Sequence, residues 1–319
     1  MDGSQTQTIP NPDCRLCTER AARMTEIIRS LADLTGRYDA VFCDLWGCLH
    51  NGQTAFPAAV AALQGFRATG GKVVLLTNAP RPKSSVIKQL DGLDVPRDAW
   101  DIVVTSGDAA QMGMLSGAVG RRVHHIGALK DEAFFTDFAE DLAAYAATQP
   151  PIIRVPLNEA EGIVCTGLRD DLTETPADYR APLLLGKTLG LPMLCANPDI
   201  VVDMGDKRLY CAGALAQAYE ELGGTALYFG KPHPPIYDLA RRRLAEAGVP
   251  ADPQILCIGD GISTDIQGGI GEGLDTLFIS GGLEAERFGT DAENPDQQLL
   301  DDWLDSKELS PTYAMGRLR

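Results

Sequence analysis

A short apolar run that ends in a single carboxylate constrains this chain more than any other stretch. Residues 40–43, AVFC, are β-prone and too few for a helix, so they predict a buried strand of a parallel sheet. Asp44 follows at once, and Gly47 lies in the loop beyond it. In open α/β sheets, ligands bind beyond the carboxyl ends of the strands. Asp44 is therefore either a site residue or a simple cap of the next helix, and both alternatives stay open at this point.

Length and charge narrow the class of protein. At 319 residues the chain is long for one core, so we expect two domains, or one domain with a large insertion. Its 44 acidic and 28 basic residues give a net charge of −16. Such a charge repels nucleic acid and anionic membranes, and no apolar run is long enough to span a membrane. An enzyme of this charge that acts on phosphates would need a bound cation.

The N-terminus and the cysteines predict a cytoplasmic protein. Residues 1–13 contain no Lys or Arg, which argues against a secretory signal, and we expect residues 1–17 to be a disordered tail. Eight cysteines are scattered along the chain, four of them in apolar strand-like runs, as is typical of a reducing compartment. Cys14 and Cys17 form a lone CxxC without the second pair that a zinc site needs. We expect neither zinc binding nor redox chemistry from this pair.

Alternation of strands and helices along the first hundred residues predicts a doubly wound parallel α/β sheet. The predicted helices cover about 18–34, 57–66 and 84–92, and the predicted strands cover 40–43, 72–76 and 101–104. Each of these strands is followed by a hydroxyl or carboxylate side chain. This favours a site along that edge of the sheet.

A change of pattern after residue 108 predicts an inserted domain. The segment that follows holds strand candidates at 123–126, 152–155, 162–166 and 193–195 and helices near 131–147 and 178–190. The first pattern resumes with strands at 226–229, 255–258 and 276–279, a helix near 235–247 and a docking helix near 299–304. We therefore predict a core domain formed by residues 18–108 and 225–319, and an inserted cap domain formed by residues 109–224.

The polar residues at the strand ends form the set that phosphoryl transfer through an enzyme carboxylate requires. Asp44 could attack phosphorus and so divide a difficult hydrolysis into two steps. Because Asp44 and phosphate are both anionic, the attack requires Mg²⁺ between them, with Asp260 as a second carboxylate ligand. Lys231 would offset charge on the phosphoryl oxygens, and Thr77 would donate a hydrogen bond to them. Taken singly, Lys231 could be a surface lysine, Asp260 a turn residue and Thr77 a helix cap.

These motifs resemble those of the haloacid dehalogenase-like (HAD) superfamily of hydrolases. Asp44 in VFCDLWG matches the nucleophile motif, Thr77 in VVLLTNAP the second motif, and Lys231 in YFGKPHP the third. Asp260 and Asp265 in CIGDGISTDIQGG match the fourth motif, GDxxxxD. The insertion between the second and third motifs, with TNAPRP and ANPD, is similar to the C2-type cap of subclass IIA. That branch includes the 4-nitrophenylphosphatase-like and phosphoglycolate phosphatase-like enzymes.

The resemblance implies a Rossmann-like core with a C2-type cap and a Mg²⁺-dependent phosphatase activity. The substrate would be a small phosphorylated metabolite, and the intermediate would be an aspartyl-phosphate on Asp44. The implied metal-site residues are Asp44, Trp46 through its backbone carbonyl, Asp260 and Asp265. The implied phosphate-binding residues are Thr77, Asn78 and Lys231. Whether the protein forms a homo-oligomer stays open.

One departure from the family pattern concerns the proton for the leaving group. Phosphatases of this superfamily usually have a second aspartate two residues after the nucleophile, as general acid and base, whereas this chain has Trp46. An indole can serve in neither role. His50 and His233 are candidate replacements, although loop histidines are more often packing residues. Without an acid, aryl phosphates should react far better than alkyl phosphates. The alternative is a catalytically weak HAD-fold protein that binds a phosphorylated ligand or partner.

Overall fold

The structure, a computed structural model, describes residues 25–204 and 207–319. The predicted tail at 1–17, with Cys14 and Cys17, lies outside the described residues. The helix predicted at 18–34 is wrong over its described part, which forms strand β1 (Glu26–Ile27) and a 3₁₀ turn (Leu31–Leu34). β1 pairs with a strand near the C-terminus, a contact across almost the whole chain that local periodicity does not reveal.

A parallel sheet of seven strands carries Asp44 at its C-terminal edge. Its spatial order is β1, β14 (Tyr313–Met315), β13 (Asp275–Ile279), β12 (Ile255–Gly259), β2 (Ala40–Cys43), β3 (Lys72–Thr77) and β4 (Ile102–Thr105). All neighbouring strands are parallel. From β2 the chain proceeds outwards to β3 and β4, and from β12 it proceeds outwards on the other side to β13 and β14. This reversal of strand order opens a crevice beyond the ends of β2 and β12.

The described chain contains α-helices between the strands of both sheets. They are α1 (Pro57–Ala68), α2 (Lys83–Gly92), α3 (Ser106–Leu115), α4 (Ala133–Thr136), α5 (Glu140–Ala146), α6 (Arg180–Thr188), α7 (Ala212–Glu221), α8 (Pro234–Glu246), α9 (Gln267–Gly271) and α10 (Gln297–Lys307). Val41 and Cys43 of β2 pack with residues of α1 and α2, whereas Ala40 and Phe42 pack with residues of α8. Burial on both faces explains why β2 is apolar throughout. The predicted doubly wound α/β sheet is confirmed.

The segment between β4 and β12 contains a second parallel sheet, of five strands. Its order is β11 (Thr225–Tyr228), β8 (Pro192–Cys195), β7 (Gly162–Cys165), β5 (Arg122–Ile126) and β6 (Ile153–Arg154). An antiparallel pair, β9 (Val201–Met204) and β10 (Lys207–Tyr210), follows β8. The prediction that the strand at 226–229 joins the first sheet is wrong, because β11 pairs with β8. Four apolar residues do not specify which sheet they join.

Helix α3 packs against both sheets. Ala109 belongs to the apolar cluster under the seven-stranded sheet, whereas Ala110 and Met114 pack with Val164 and Leu194 of the five-stranded sheet. The proposed domain limit at residue 109 therefore falls inside a helix. The division of the chain into core and cap stays a prediction.

Among residues 25–204 and 207–319, no helix combines the length and the apolar character needed to cross a membrane.

Candidate active site

Three buried ionic side chains meet beyond the end of β2. The N–H of Asp44 donates to the carbonyl of Ile258 in β12 at 2.9 Å, which fixes Asp44 at the strand-order reversal. Lys231 Nζ lies 2.5 Å from Asp44 Oδ1 and 2.6 Å from Asp265 Oδ1. Charge-assisted hydrogen bonds of this length are among the strong polar contacts of a protein interior. The structure thus joins three of the residues that the sequence predicted for the site.

The site carries more negative than positive charge. Burial raises the pKa of Asp44, although Lys231 opposes this effect. Burial raises the pKa of Asp265 to about 6, again against the effect of Lys231. The pKa of Asp260 rises well above its ordinary value because of burial and because of the charges of Asp44 and Asp265. One lysine among three buried carboxylates leaves a deficit of positive charge, which favours the binding of a further cation.

The possible metal ligands around Asp260 suit a divalent cation. Asp44, Cys48 and Asp260 offer ligand atoms that lie within 4.8 Å of one another. Carboxylate oxygens are ligands that Mg²⁺ accepts, whereas the soft sulfur of Cys48 is not. Gly47 has φ +73°, and a Cβ at this position would lie 1.9 Å from Asp260 Oδ2, so only glycine leaves room for that carboxylate. The residues present therefore fit Mg²⁺ bound between Asp44 and Asp260.

Lys231 reaches the site from the second sheet. We expected it at the end of a strand of the first sheet, but it follows β11 of the second sheet. Asn78 holds its main chain, because Asn78 Oδ1 accepts from Lys231 N at 2.7 Å and Nδ2 donates to Lys231 O at 3.0 Å. The same Nδ2 donates to Asp199 Oδ1 at 2.8 Å. Asn78 thus positions Lys231, and its amide uses both N–H donors on protein groups instead of offering them to phosphate.

Thr77 was predicted either to bind phosphate or to act as a cap, and its position is compatible with both roles. It is the buried last residue of β3, beside β2, and its Oγ1 accepts from Ala79 N at 3.2 Å. That bond uses an oxygen lone pair and not the hydroxyl hydrogen. Capping by Thr77 is therefore compatible with donation to a phosphate, which stays a prediction.

The two histidines proposed as replacement acids differ in position. His50 is fully buried, its Nδ1 accepts from Gly52 N at 3.0 Å, and its ring contacts Trp46 edge-on at 5.4 Å. Burial lowers the pKa of His50 to about 4, so the ring is neutral near pH 7. His233 precedes α8 and stacks on Tyr228 with the ring centres 4.8 Å apart. Because a neutral imidazole is a poor acid, the structure argues against His50 as the replacement.

A cavity of about 870 Å³ is lined by Asp44 and Lys231, by loop residues beyond the strands of the seven-stranded sheet, and by Tyr228 of the five-stranded sheet. Its wall includes Trp46, Phe56, Asp199, Tyr228, His233 and Arg317. His50 is absent from the described residues that form this wall. Sequence reasoning singled out neither Asp199 nor Arg317. The ANPD motif contains the signal for Asp199, although the motif alone indicates only the family branch.

Comparison with known proteins identifies the family. The haloacid dehalogenase-like hydrolase family matches residues 41–139, and the HAD-hydrolase-like family matches residues 228–306. A solved structure of a haloacid dehalogenase-like hydrolase from Brucella suis is 42% identical, with a TM-score of 0.78, over 92% of this chain and 100% of that one. This chain belongs to the haloacid dehalogenase-like hydrolase family.

Of two further HAD relatives, the first is similar in sequence and the second is similar in fold. The ribonucleotide monophosphatase NagD of Escherichia coli is 25% identical over 256 residues, which are 77% of this chain and 88% of NagD. A glycerol phosphate phosphatase of Mycobacterium tuberculosis, solved in complex with magnesium, shares the fold. It is 23% identical with a TM-score of 0.58, over 86% of this chain and 79% of that one. The predicted membership of HAD subclass IIA is confirmed, and the chain is a hydrolase.

Proposed function

We propose that this HAD-like hydrolase is a Mg²⁺-dependent phosphatase that cleaves phosphate monoesters of small metabolites through a phosphorylated Asp44. The observation that carries the proposal is the contact of 2.5 Å between Lys231 Nζ and Asp44 Oδ1, at the reversal of strand order and beneath a cavity. The activity in the name of NagD supports a phosphate monoester as the substrate class.

The proposed reaction uses the buried residues in two steps. Asp44 attacks phosphorus, the bond to the ester oxygen breaks, and water later hydrolyses the aspartyl-phosphate. Lys231 offsets the charge that develops on the phosphoryl oxygens, while Asp265 and Asn78 hold the lysine in place. Thr77 donates its hydroxyl hydrogen to the same phosphoryl group.

Asp44, the Trp46 carbonyl and Asp260 would hold Mg²⁺, with Asp265 in support. The bound ion would screen the nucleophile from the anionic phosphate and polarise the phosphoryl oxygen. The deficit of positive charge around Asp260 supports this assignment. The magnesium in the M. tuberculosis relative supports the choice of ion.

A screen of phosphate monoesters with purified full-length protein, with and without Mg²⁺, tests the proposal. We expect release of inorganic phosphate only with the ion present. Asp44→Asn should abolish turnover, because an amide is too weak a nucleophile, yet it preserves the size of the side chain and an acceptor for Lys231. Phosphate release by Asp44→Asn at the native rate would contradict the proposal.

Trp46 favours a second candidate function, a protein that binds a phosphorylated ligand without useful turnover. This residue stands where related phosphatases usually have their acid. The same screen separates the two functions: a binding protein would be stabilised against heat by phosphorylated compounds but would release no phosphate. The buried cluster of Asp44, Lys231 and Asp265 favours the enzyme, since desolvating three charges is costly.

A further inference from the structure

Asp199 is a carboxyl group of the cavity wall to which the proposed reaction gives no task. It follows β8 in the turn formed by Asn197, Pro198 and Asp199, where Asn197 Oδ1 accepts from Asp199 N at 3.0 Å. Asn78 donates to Asp199 Oδ1 and also binds the main-chain N–H and carbonyl oxygen of Lys231. One amide therefore holds Asp199 in register with the lysine that contacts Asp44. No hydrogen bond to Asp199 Oδ2 occurs within the described part of the chain.

The surroundings of Asp199 favour a carboxyl group that can carry a proton. Burial raises the pKa of Asp199, against the opposing effects of Lys231 and of the hydrogen bond from Asn78. The charge of Asp199 in turn raises the pKa of Asp44. Asp265, Cys195 and Cys211 also interact electrostatically with Asp199. Both thiols are neutral near pH 7, because burial raises their pKa values.

Other titratable groups in the cavity wall are less suited to donate a proton. Glu220 is exposed and accepts a hydrogen bond from the Tyr228 hydroxyl at 2.7 Å. Glu284 is paired with Arg287. Burial lowers the pKa of His233, so this ring is neutral near pH 7. Asp199 thus combines a fixed position, a place in the cavity wall and a pKa that burial raises.

We propose that Asp199 is the general acid and base of this site, an inference that rests on the proposed phosphatase function. In the first step, Asp44 bonds to phosphorus, the bond to the ester oxygen breaks, and that oxygen takes the proton of Asp199 and leaves as an alcohol. In the second step, the Asp199 carboxylate takes a proton from water while the water oxygen bonds to phosphorus. The bond from phosphorus to Asp44 then breaks, inorganic phosphate leaves, and both carboxyl groups regain their initial states.

This role changes the expected dependence of kcat/KM on the leaving group. Without an acid at position 46, kcat/KM would fall steeply from aryl to alkyl esters. With an acid in place, native kcat/KM should change little between 4-nitrophenyl phosphate and an alkyl phosphate such as glycerol phosphate. Asp199→Asn keeps an oxygen that can accept from Asn78 but has no proton to give up. For this variant we expect kcat/KM to fall by about 10²–10⁴-fold on the alkyl ester. On the aryl ester kcat/KM should change much less, because nitrophenolate leaves without protonation.

The second step supplies a readout that a merely structural residue would not change. Loss of the base slows hydrolysis of phospho-Asp44, whereas its formation from 4-nitrophenyl phosphate stays fast. A rapid-mixing experiment on Asp199→Asn should therefore show a burst of nitrophenol that approaches one equivalent per active site. Phosphorylated Asp44 should be recovered by mass spectrometry after acid quenching. The exposed Asp170 supplies a matched control, and Asp170→Asn should behave like the native protein.

Each outcome of this experiment decides the proposal. A selective loss on the alkyl ester together with a burst supports it. A steep fall of native kcat/KM with leaving-group pKa overturns it without requiring a folded variant. Equal losses on both esters with no burst also overturn it. A native protein that hydrolyses no phosphate ester refutes the proposed function itself, and the role of Asp199 with it.

Discussion

Asp260 is the residue at which the predicted magnesium site can be tested most directly. Asp260→Asn keeps an oxygen to accept from Leu283 N, the donor that lies 2.9 Å from Asp260 Oδ2, but it removes the negative charge. We expect the dissociation constant for Mg²⁺ to rise by more than about tenfold in calorimetric titration. Cys48→Ala is the matched control and should leave Mg²⁺ affinity unchanged, because sulfur is not a magnesium ligand. Unchanged affinity in Asp260→Asn would remove Asp260 from the site.

His50 predicts a pH dependence of stability. Burial lowers its pKa from 6.5 to about 4, so between these values the unfolded chain takes up a proton that the folded protein does not. The contribution of His50 to stability is therefore full above pH 6.5 and falls as the pH approaches 4, by at most about 1.4 kcal/mol per pH unit. His50→Gln keeps an acceptor for Gly52 N and should reduce this slope in urea unfolding. Identical slopes for the two proteins would contradict the prediction.

At the level of secondary-structure elements, the sequence predicted buried strands from short apolar runs, together with the polar residues that follow those strands. Asp44 and Asp260 were placed correctly at strand ends because each directly follows a buried run. Lys231 was predicted as a site residue but given the wrong sheet, since β11 resembles a strand of either sheet. The amide of Asn78 binds residues more than a hundred positions away. Such contacts follow from the packing of the two sheets, so no local pattern reveals them.

Arg243 of α8 makes an ionic contact that one substitution can test. It lies 2.5 Å from Asp108 of α3, which is fully buried, and 3.0 Å from Asp141 of α5. Arg243→Met leaves the Asp108 carboxylate buried without its cation. We expect the free energy of unfolding in urea to fall by about 3–5 kcal/mol. The neighbouring Arg242 is exposed and also binds Asp141, so Arg242→Met should cost less than about 1 kcal/mol. Equal effects of the two substitutions would contradict this prediction.

Helix α3 bears on the proposed cap at residues 109–224. Because α3 packs on both sheets, its backbone should resist proteases, so we expect cleavage in the exposed turns near 116–118 and 222–225 instead of at residue 109. Limited proteolysis followed by mass spectrometry would locate the cuts. A bound phosphate mimic such as vanadate should slow cleavage if the cap closes over the cavity. Cuts distributed evenly over 120–220, with none at these turns, would count against a separate cap.

At the scale of the whole molecule, a net charge of −16 should oppose the approach of an anionic substrate. Raising the ionic strength from about 10 mM to about 150 mM shortens the screening length and weakens that repulsion. We therefore expect kcat/KM for 4-nitrophenyl phosphate to rise with added potassium chloride at a fixed Mg²⁺ concentration. A fall would mean that the local cations Lys231 and Arg317 dominate the field at the cavity mouth instead of the net charge.

Because Lys231 follows a strand of the second sheet, the ribosome synthesises it long after Asp44. Lys231 follows Asp44 by 187 residues, which at about 5–20 residues per second corresponds to roughly 10–40 s of translation. During that interval the nascent Asp44 has no lysine beside it, and β12, which closes one edge of β2, has not been synthesised. A product truncated before residue 231 therefore has a carboxylate that could attack phosphorus but no cation to stabilise the phosphoryl group. Under the proposed mechanism, hydrolytic activity therefore begins only after most of the chain has left the ribosome.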